Sequence, residues 1–438
     1  MIRFRNALCA MALCALSGCI HMPPVPDMSG TVTSPSLKGA EPSSATVPFL
    51  FDDNRIFVEV GFVRPDGRTR KALAFVNMGF GAFAVTKSLY RELNPGPGGK
   101  LRMRFGTMET SIDWDTVQTS EMANSIRINF NPFSKTPTAE DWSRGPGGED
   151  EAYFSPLPVE AVIPSGLLQH FEVAFDYGEK TMTLAVPGTL KLEGVAVPIH
   201  LNSKTGFVTL SANIDGVVYP LVIDNGGSYT VFHSTARLLE AHPGWLRSVG
   251  AIGEANYLMM PIGPEATTPV AKVPYAKVGG LTLEEVGVAQ TDMPGWLAGF
   301  VVDEFWDYYS EKAGEKVEGW IGGNVLKSYR LTIDYPNHMT YWLQQAPADS
   351  HDLDQVGVTL MRINKKYAVG EIALKDGKPT VQGIEVGDTL IQVDQLKTDD
   401  ATRGQILTAL HGRPGERRHL VLERNGNRIE VDAVITAF

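Results

Sequence analysis

Past residue 19 the chain has no cysteine: Cys9, Cys14 and Cys19 are its only three. The rest of the chain therefore has no disulfide, no free thiol and no thiolate metal site. Histidine is sparse, nine in 438 residues, and none falls in an HExxH or similar spacing. That pattern argues against a zinc site, and no cofactor or metal is expected. Basic residues are outnumbered, 39 against 50 acidic ones. A surface of that sign excludes nucleic acid and anionic lipid as electrostatic partners. Beyond the N-terminal end, no run is long and apolar enough for a transmembrane helix. What is present is an ordinary globular apolar content, 43%, over a length that allows two or three domains.

The N-terminal end has its own logic. Arg3 and Arg5 form a basic start, and Ala7 to Leu16 is apolar but too short to span a bilayer. Leu16-Ser17-Gly18-Cys19 then resembles the bacterial lipobox. The resemblance implies a signal peptide over 1–18 and acylation of Cys19 as the first mature residue. Ile20 is not Asp, which favours sorting to the outer membrane. Several acyl chains on one residue make a stable anchor. Removal of Arg3 and Arg5 leaves a net charge of −13. Residues 19–46 are rich in Pro, Ser, Thr and Gly and read as a lipidated, disordered tether.

Internal repeats organise the body. Ile163 to Tyr177 aligns without gaps with Ile321 to Tyr335, and both copies end in Asp-Tyr. Upstream, Leu73-Ala-Phe-Val-Asn77-Met78-Gly79-Phe80 matches Pro220-Leu-Val-Ile-Asp224-Asn225-Gly226-Gly227. Each upstream copy is an apolar strand entering a glycine turn. A helix-compatible stretch follows each, Thr86–Leu93 and Ser234–Ala241. Alternating runs such as Arg55–Val63 and Val217–Ile223 make the class mainly β. The body divides into a first lobe over 47–190 and a second over 191–347.

These segments resemble the retropepsin-like and pepsin-like aspartic peptidases. That family pairs an apolar strand and Asp-Thr/Ser-Gly with a later apolar-apolar-Gly segment behind the catalytic loop. Here Leu221-Val-Ile-Asp224-Asn225-Gly226-Gly227-Ser228 matches the first element, and Trp320-Ile-Gly322-Gly323-Asn324-Val-Leu326 the second. Ala276–Val286 and Gln290–Met293 read as the strands leading into it. The resemblance implies two β-barrel lobes related by a pseudo-two-fold axis, with a carboxylate from each meeting in one cleft. The family's chemistry needs both, because two adjacent carboxylates share one proton. Asp224 supplies one catalytic position, but its counterpart is Asn77, an amide that cannot share that proton. Gly79, Asn225, Gly226, Gly227, Gly322 and Gly323 are the loop-supporting positions. Met78 and Asn225 stand where the family has Thr or Ser, and Pro164 replaces a glycine. Gly79-Phe-Gly81 is too short a match to signal a nucleotide loop.

After Ala348 the pattern changes. Val381-Gln-Gly383-Ile-Glu-Val-Gly387-Asp388-Thr-Leu-Ile-Gln-Val-Asp394 resembles the central segment of PDZ domains. The module spans 352–436, with Gly383, Gly387 and Asp388 in structural roles. Ala401–His411 reads as a helix and Asn425-Gly426 as a hairpin turn. Tyr367–Gly370 is a candidate carboxylate-binding loop, with an ordinary hairpin turn as the competing reading. PDZ domains capture peptides by strand addition, so polypeptide is the expected partner. Two functions stay open: an aspartic-type endopeptidase of the cell envelope, or a lipid-anchored protein that binds or scaffolds polypeptide without cutting it.

Overall fold

The computed structural model describes residues 25, 27–30, 32–33, 43–119, 156–250, 253–254, 269–291, 296–363 and 366–438. Residues 1–18, expected from the sequence to be a signal peptide, and Cys19 lie outside the described residues. The fold is mainly β and includes a β-barrel. The first half contains β1 (Val32–Thr33), β2 (Ser44–Asp52), β3 (Arg55–Val63), β4 (Thr69–Asn77), β5 (Ala84–Val85), α1 (Lys87–Leu93), β6 (Lys100–Phe105), β7 (Met108–Asp113) and β8 (Gln118–Thr119). It continues with β9 (Val159–Pro164), α2 (Ser165–Leu168), β10 (Glu172–Asp176) and β11 (Thr181–Ala185). Strict alternation builds these strands. In β6, Leu101, Met103 and Phe105 are buried while Lys100, Arg102 and Arg104 face water. Thr86 caps α1 by accepting the Leu89 N–H.

The second half contains β12 (Val195–Pro198), β13 (His200–Leu201), β14 (Val208–Ile214), β15 (Val217–Ile223), β16 (Thr230–Phe232), α3 (Ala236–Ala241), β17 (Leu246–Val249) and β18 (Gly253–Glu254). Then come β19 (Pro269–Val278), β20 (Leu281–Gln290), α4 (Trp296–Ala313), β21 (Gly319–Ile321), α5 (Gly323–Leu326), β22 (Tyr329–Asp334) and β23 (Met339–Gln344). The two halves repeat one pairing scheme. β4 runs parallel to β9 with Val76 opposite Ile163; β15 runs parallel to β21 with Ile223 opposite Ile321. β5 pairs antiparallel to β9 at Ala84–Val162, and β16 to β21 at Val231–Trp320. Every one of these pairs maps onto its mate through the two sequence repeats. β10 and β22 pair antiparallel with Ala174 opposite Thr332, themselves repeat equivalents. A local two-fold axis therefore passes between them, at the centre of the run β2-β11-β10-β22-β23-β12.

The third part contains β24 (Val358–Ile363), β25 (Lys366–Ile372), β26 (Leu374–Lys375), β27 (Lys378–Pro379), β28 (Thr389–Val393), β29 (Leu396–Lys397), α6 (Arg403–Leu410), β30 (Arg417–Arg424) and β31 (Asn427–Val434). It has a core of its own, including Leu360, Val369, Leu390, Ile406, Leu410 and Leu422. The body grips it in several places. Asp52 of β2 accepts the Gly404 N–H at 3.2 Å and the Thr402 hydroxyl, at the first turn of α6. Val249 of β17 pairs with Leu374 of β26.

Three expectations are corrected. Residues 19–46 are not a tether throughout. Met28 is buried, its N–H donates to Lys204 O at 2.7 Å, and β1 and the start of β2 pair with β7 and β11. The polar composition around Met28 masks an apolar anchor, seated where Gly166 has no side chain to exclude it. Ala276–Val286 is not one strand. It holds the Gly279-Gly280 turn joining β19 to β20, because Gly279 takes a positive φ of 57°. Tyr367–Gly370 is neither a loop nor a turn; it lies inside β25, its alternation burying Tyr367 and Val369.

Candidate functional site: two apposed glycine turns

The C-terminal ends of β4 and β15 enter matching turns. Asn77 Oδ1 accepts the Gly79 N–H at 2.9 Å, and Asp224 Oδ1 accepts the Gly226 N–H at 2.8 Å. Phe80 N–H reaches Asn77 O at 3.3 Å, and Gly227 N–H reaches Asp224 O at 3.2 Å. These are Asx turns, in which the side-chain oxygen imitates a backbone carbonyl. The element behind each turn closes it alike: Ser165 N–H donates to Phe80 O at 3.0 Å, and Gly323 N–H to Gly227 O at 2.8 Å.

The turns also bind each other. Gly79 N–H donates to Asp224 Oδ1 at 3.1 Å, and Met78 N–H to Asn225 Oδ1 at 2.9 Å. The approach is so close that only glycine fits. A Cβ on Gly226 would overlap the Asn77 carboxamide, and one on Gly79 would overlap the Asp224 carboxyl. The sequence thus brings Asn77, Gly79, Asp224, Asn225, Gly226 and Gly227 together. Gly322 and Gly323 sit directly behind, where a Cβ would meet Tyr229 O and Asn54 O respectively. The cross-link is one-sided. Met78 is buried and returns no side-chain bond, and Asn225 Nδ2 has no partner among the described residues. Arg55, itself buried, braces the second turn through Nε to Gly226 O at 2.8 Å.

Helix α4 covers Asp224. The Tyr309 hydroxyl donates to Asp224 Oδ2 at 3.0 Å. Asp224 is 7% exposed, and burial raises its carboxyl above the ordinary range. The N–H of Gly226, the Tyr309 hydroxyl and the N–H groups of Gly79 and Gly227 pull the other way. Burial, and then the Asp224 charge, pushes the Tyr309 phenol well up. One turn on, burial lowers the Lys312 ammonium to about 8, against the attraction of Asp224. Lys312 Nζ lies 4.2 Å from the Tyr308 ring centroid and 5.4 Å from that of Phe80. Its backbone oxygen accepts Asn202 Nδ2 at 2.9 Å and the Thr205 hydroxyl at 2.7 Å. No carboxylate is among the hydrogen-bond partners of Asp224 in the described residues. Nor do those residues hold a His, Cys, Asp and Glu cluster able to bind a metal.

Asn324 organises the rear. Its Oδ1 accepts the Thr230 N–H at 2.8 Å and the Thr230 hydroxyl at 3.0 Å. Its Nδ2 donates to Gly287 O at 2.9 Å and Asp352 Oδ2 at 3.1 Å. Thr230 Oγ1 in turn accepts the Gly322 N–H at 3.2 Å. Asp352 opens the path to the third part, and Lys272 Nζ lies 3.6 Å from its other oxygen. Burial raises Asp352 to about 6, with Lys272 and Asn324 opposing.

In the third part, Gly383 and Gly387 take positive φ of 83° and 96°. Asp388 Oδ2 accepts the Glu385 N–H at 2.8 Å, and Arg424 pairs with both its oxygens. These are turn-building roles, far from the paired turns in chemistry.

Sequence reasoning did not reach α4, Tyr309 or Lys312. The signal was there: Val302, Trp306, Tyr309 and Ala313 recur at helical spacing, and all four are buried. Compared with models of known families and with curated proteins, the chain matches none.

Proposed function

We propose that the chain is an envelope lipoprotein with the two-lobed body of pepsin-like and retropepsin-like aspartic peptidases and a C-terminal PDZ-type module, and that it binds extended polypeptide without hydrolysing it. The observation that carries this reading is the bonding of Asp224. Its oxygens are engaged by Gly79, Gly226 and Tyr309, and the facing group is the Asn77 amide. Aspartic hydrolysis needs an ionised carboxylate to activate water and a protonated one to donate to the scissile carbonyl. Asn77 can take neither part. Tyr309 is no substitute acid, because its phenol is pushed far above neutrality.

The repeated pairing scheme and the glycine turns, each backed by its own apolar-Gly element, support the peptidase-like architecture. The order of strands and helix across β24–β31, with Gly383 and Gly387–Asp388 at its turns, supports the PDZ-type module. Anchoring at Cys19 would hold the body close to a bilayer. Met28 follows nine residues later, a span of at most about 30 Å.

The test is an assay on an unfolded, carboxymethylated polypeptide, reading cleavage and binding together. The wild type should bind and not cut. Asn77→Asp combined with Tyr309→Phe should restore a proton-sharing pair and yield cleavage on the acid side, abolished by adding Asp224→Asn. Wild-type cleavage that disappears in Asp224→Asn would overturn the non-hydrolytic reading. Cleavage that persists in Asp224→Asn would put the chemistry outside these turns.

A further inference from the structure

β24 is held unequally on its two edges. Along one, β25 pairs with it from Val358 to Ile363. Along the other, β18 is its partner among the described residues, in parallel, with Gly253 opposite Thr359 and Glu254 opposite Leu360. β18 belongs to the second half of the body, not to the module, and α6 packs against it as well. A two-residue segment of the body thus occupies the groove between β24 and α6. Its pairing covers two of the six residues in β24. A strand that ran the length of β24 would form more ladder bonds. Gly253 also loses more chain entropy on ordering than any other residue would. The resident strand is therefore weaker than a longer one in its place.

We propose that Gly253–Glu254 is a resident, displaceable strand that the body lays in the β24–α6 groove, so that polypeptide must expel it to pair with β24. The inference rests on the polypeptide-binding reading above and adds its regulation. A partner must expel the body's own segment, so an incoming strand gains only the difference between its ladder and the resident one. Expulsion also frees the body from one of its ties to the module, while others hold, among them the Asp52–α6 cap, the Val249–Leu374 pair and the Asn324–Asp352 bond. Capture at the module would then loosen its seating on the body.

The test uses the full chain and a fluorescein-labelled synthetic peptide copying residues 249–257. Glu254→Pro removes the backbone N–H and disfavours the resident pairing, whereas Glu254→Gln keeps it. Glu254→Pro should bind the probe about tenfold more tightly, equivalent to the loss of a single competing ladder contact. Glu254→Gln should match the wild type. Amide exchange across 358–363 should quicken in Glu254→Pro and slow again with probe. In the wild type, saturating probe should quicken exchange at Gly253 and Glu254 as they leave, a readout that needs no variant. Equal affinity for all three proteins, with exchange at 253–254 unmoved by probe, overturns the proposal. If the probe then still slows exchange around Asn77 and Asp224, polypeptide binding by the body stands without it.

Discussion

Asn225 of one turn accepts, on its side-chain oxygen, the backbone N–H of Met78 in the other, 2.9 Å away. Both residues are buried, so water cannot replace the bond. Asn225→Ala should cost about 1–3 kcal/mol, the usual penalty of an orphaned buried N–H. Asn225→Thr restores an acceptor nearer the backbone and should recover part of the loss. Denaturant unfolding of the three proteins checks this; equal stability would mean the bond contributes nothing.

Gly79 N–H lies between Asn77 Oδ1 and Asp224 Oδ1, at 2.9 and 3.1 Å. Asn77→Asp therefore places a second carboxylate against one that burial already raises. The pair's folded pKa rises further, so its stability is fully present below the unfolded value, near 4, and is lost as pH climbs through the folded one. The variant should equal the wild type at pH 4 and fall below it by about 1–3 kcal/mol at pH 7. A gap that does not change with pH would show that the two side chains do not interact.

Lys312 gives the opposite profile. Burial depresses its ammonium to about 8, so the stability that goes with the neutral amine is present above 10.5 and lost as pH falls through 8. Lys312→Met keeps the stem and removes the buried charge. At pH 7 it should be more stable by on the order of 2–3 kcal/mol, and the difference should shrink between pH 8 and 10.5. Thermal unfolding across that range decides it; a wild type more stable than Lys312→Met at pH 7 would sink the account.

Asn324 fills both donor and both acceptor places of its amide. Asn324→Ala takes a partner from the Thr230 N–H and hydroxyl, from Gly287 O and from an oxygen of Asp352 together. A loss of about 2–4 kcal/mol is expected, larger than for Asn225→Ala. Because Asp352 leads into the module, amide exchange in 352–363 should quicken along with that around Asp224. Quickening at one location alone would show that the two are not linked through Asn324.

Cys19 is expected to carry lipid. Intact-mass measurement of membrane-extracted protein should find an acylated N-terminus at Cys19. Cys19→Ala should leave the protein in the aqueous fraction. An unmodified Cys19, or a mature chain that starts elsewhere, would refute the anchor.

Much of this was written in the chain locally. The glycine turns, the alternation in β6 and the Asn425-Gly426 hairpin depend on neighbours a few residues apart, and a sequence displays such neighbours directly. The repeat carried more: it related residues of β4 and β9 to residues of β15 and β21, although which of them pair came from the structure. Met28 and β18 were hidden because each gains its place from a partner far along the chain, Gly166 and β24. Asn225 looked like a lost hydroxyl until the fold set it opposite Met78. Above all, the sequence showed an amide, Asn77, at the position that the repeat equates with Asp224, since that is a matter of residue type. Only the tertiary structure placed the Tyr309 hydroxyl on Asp224, because 85 residues, β16 to β20 among them, separate the two, and packing alone brings them into reach.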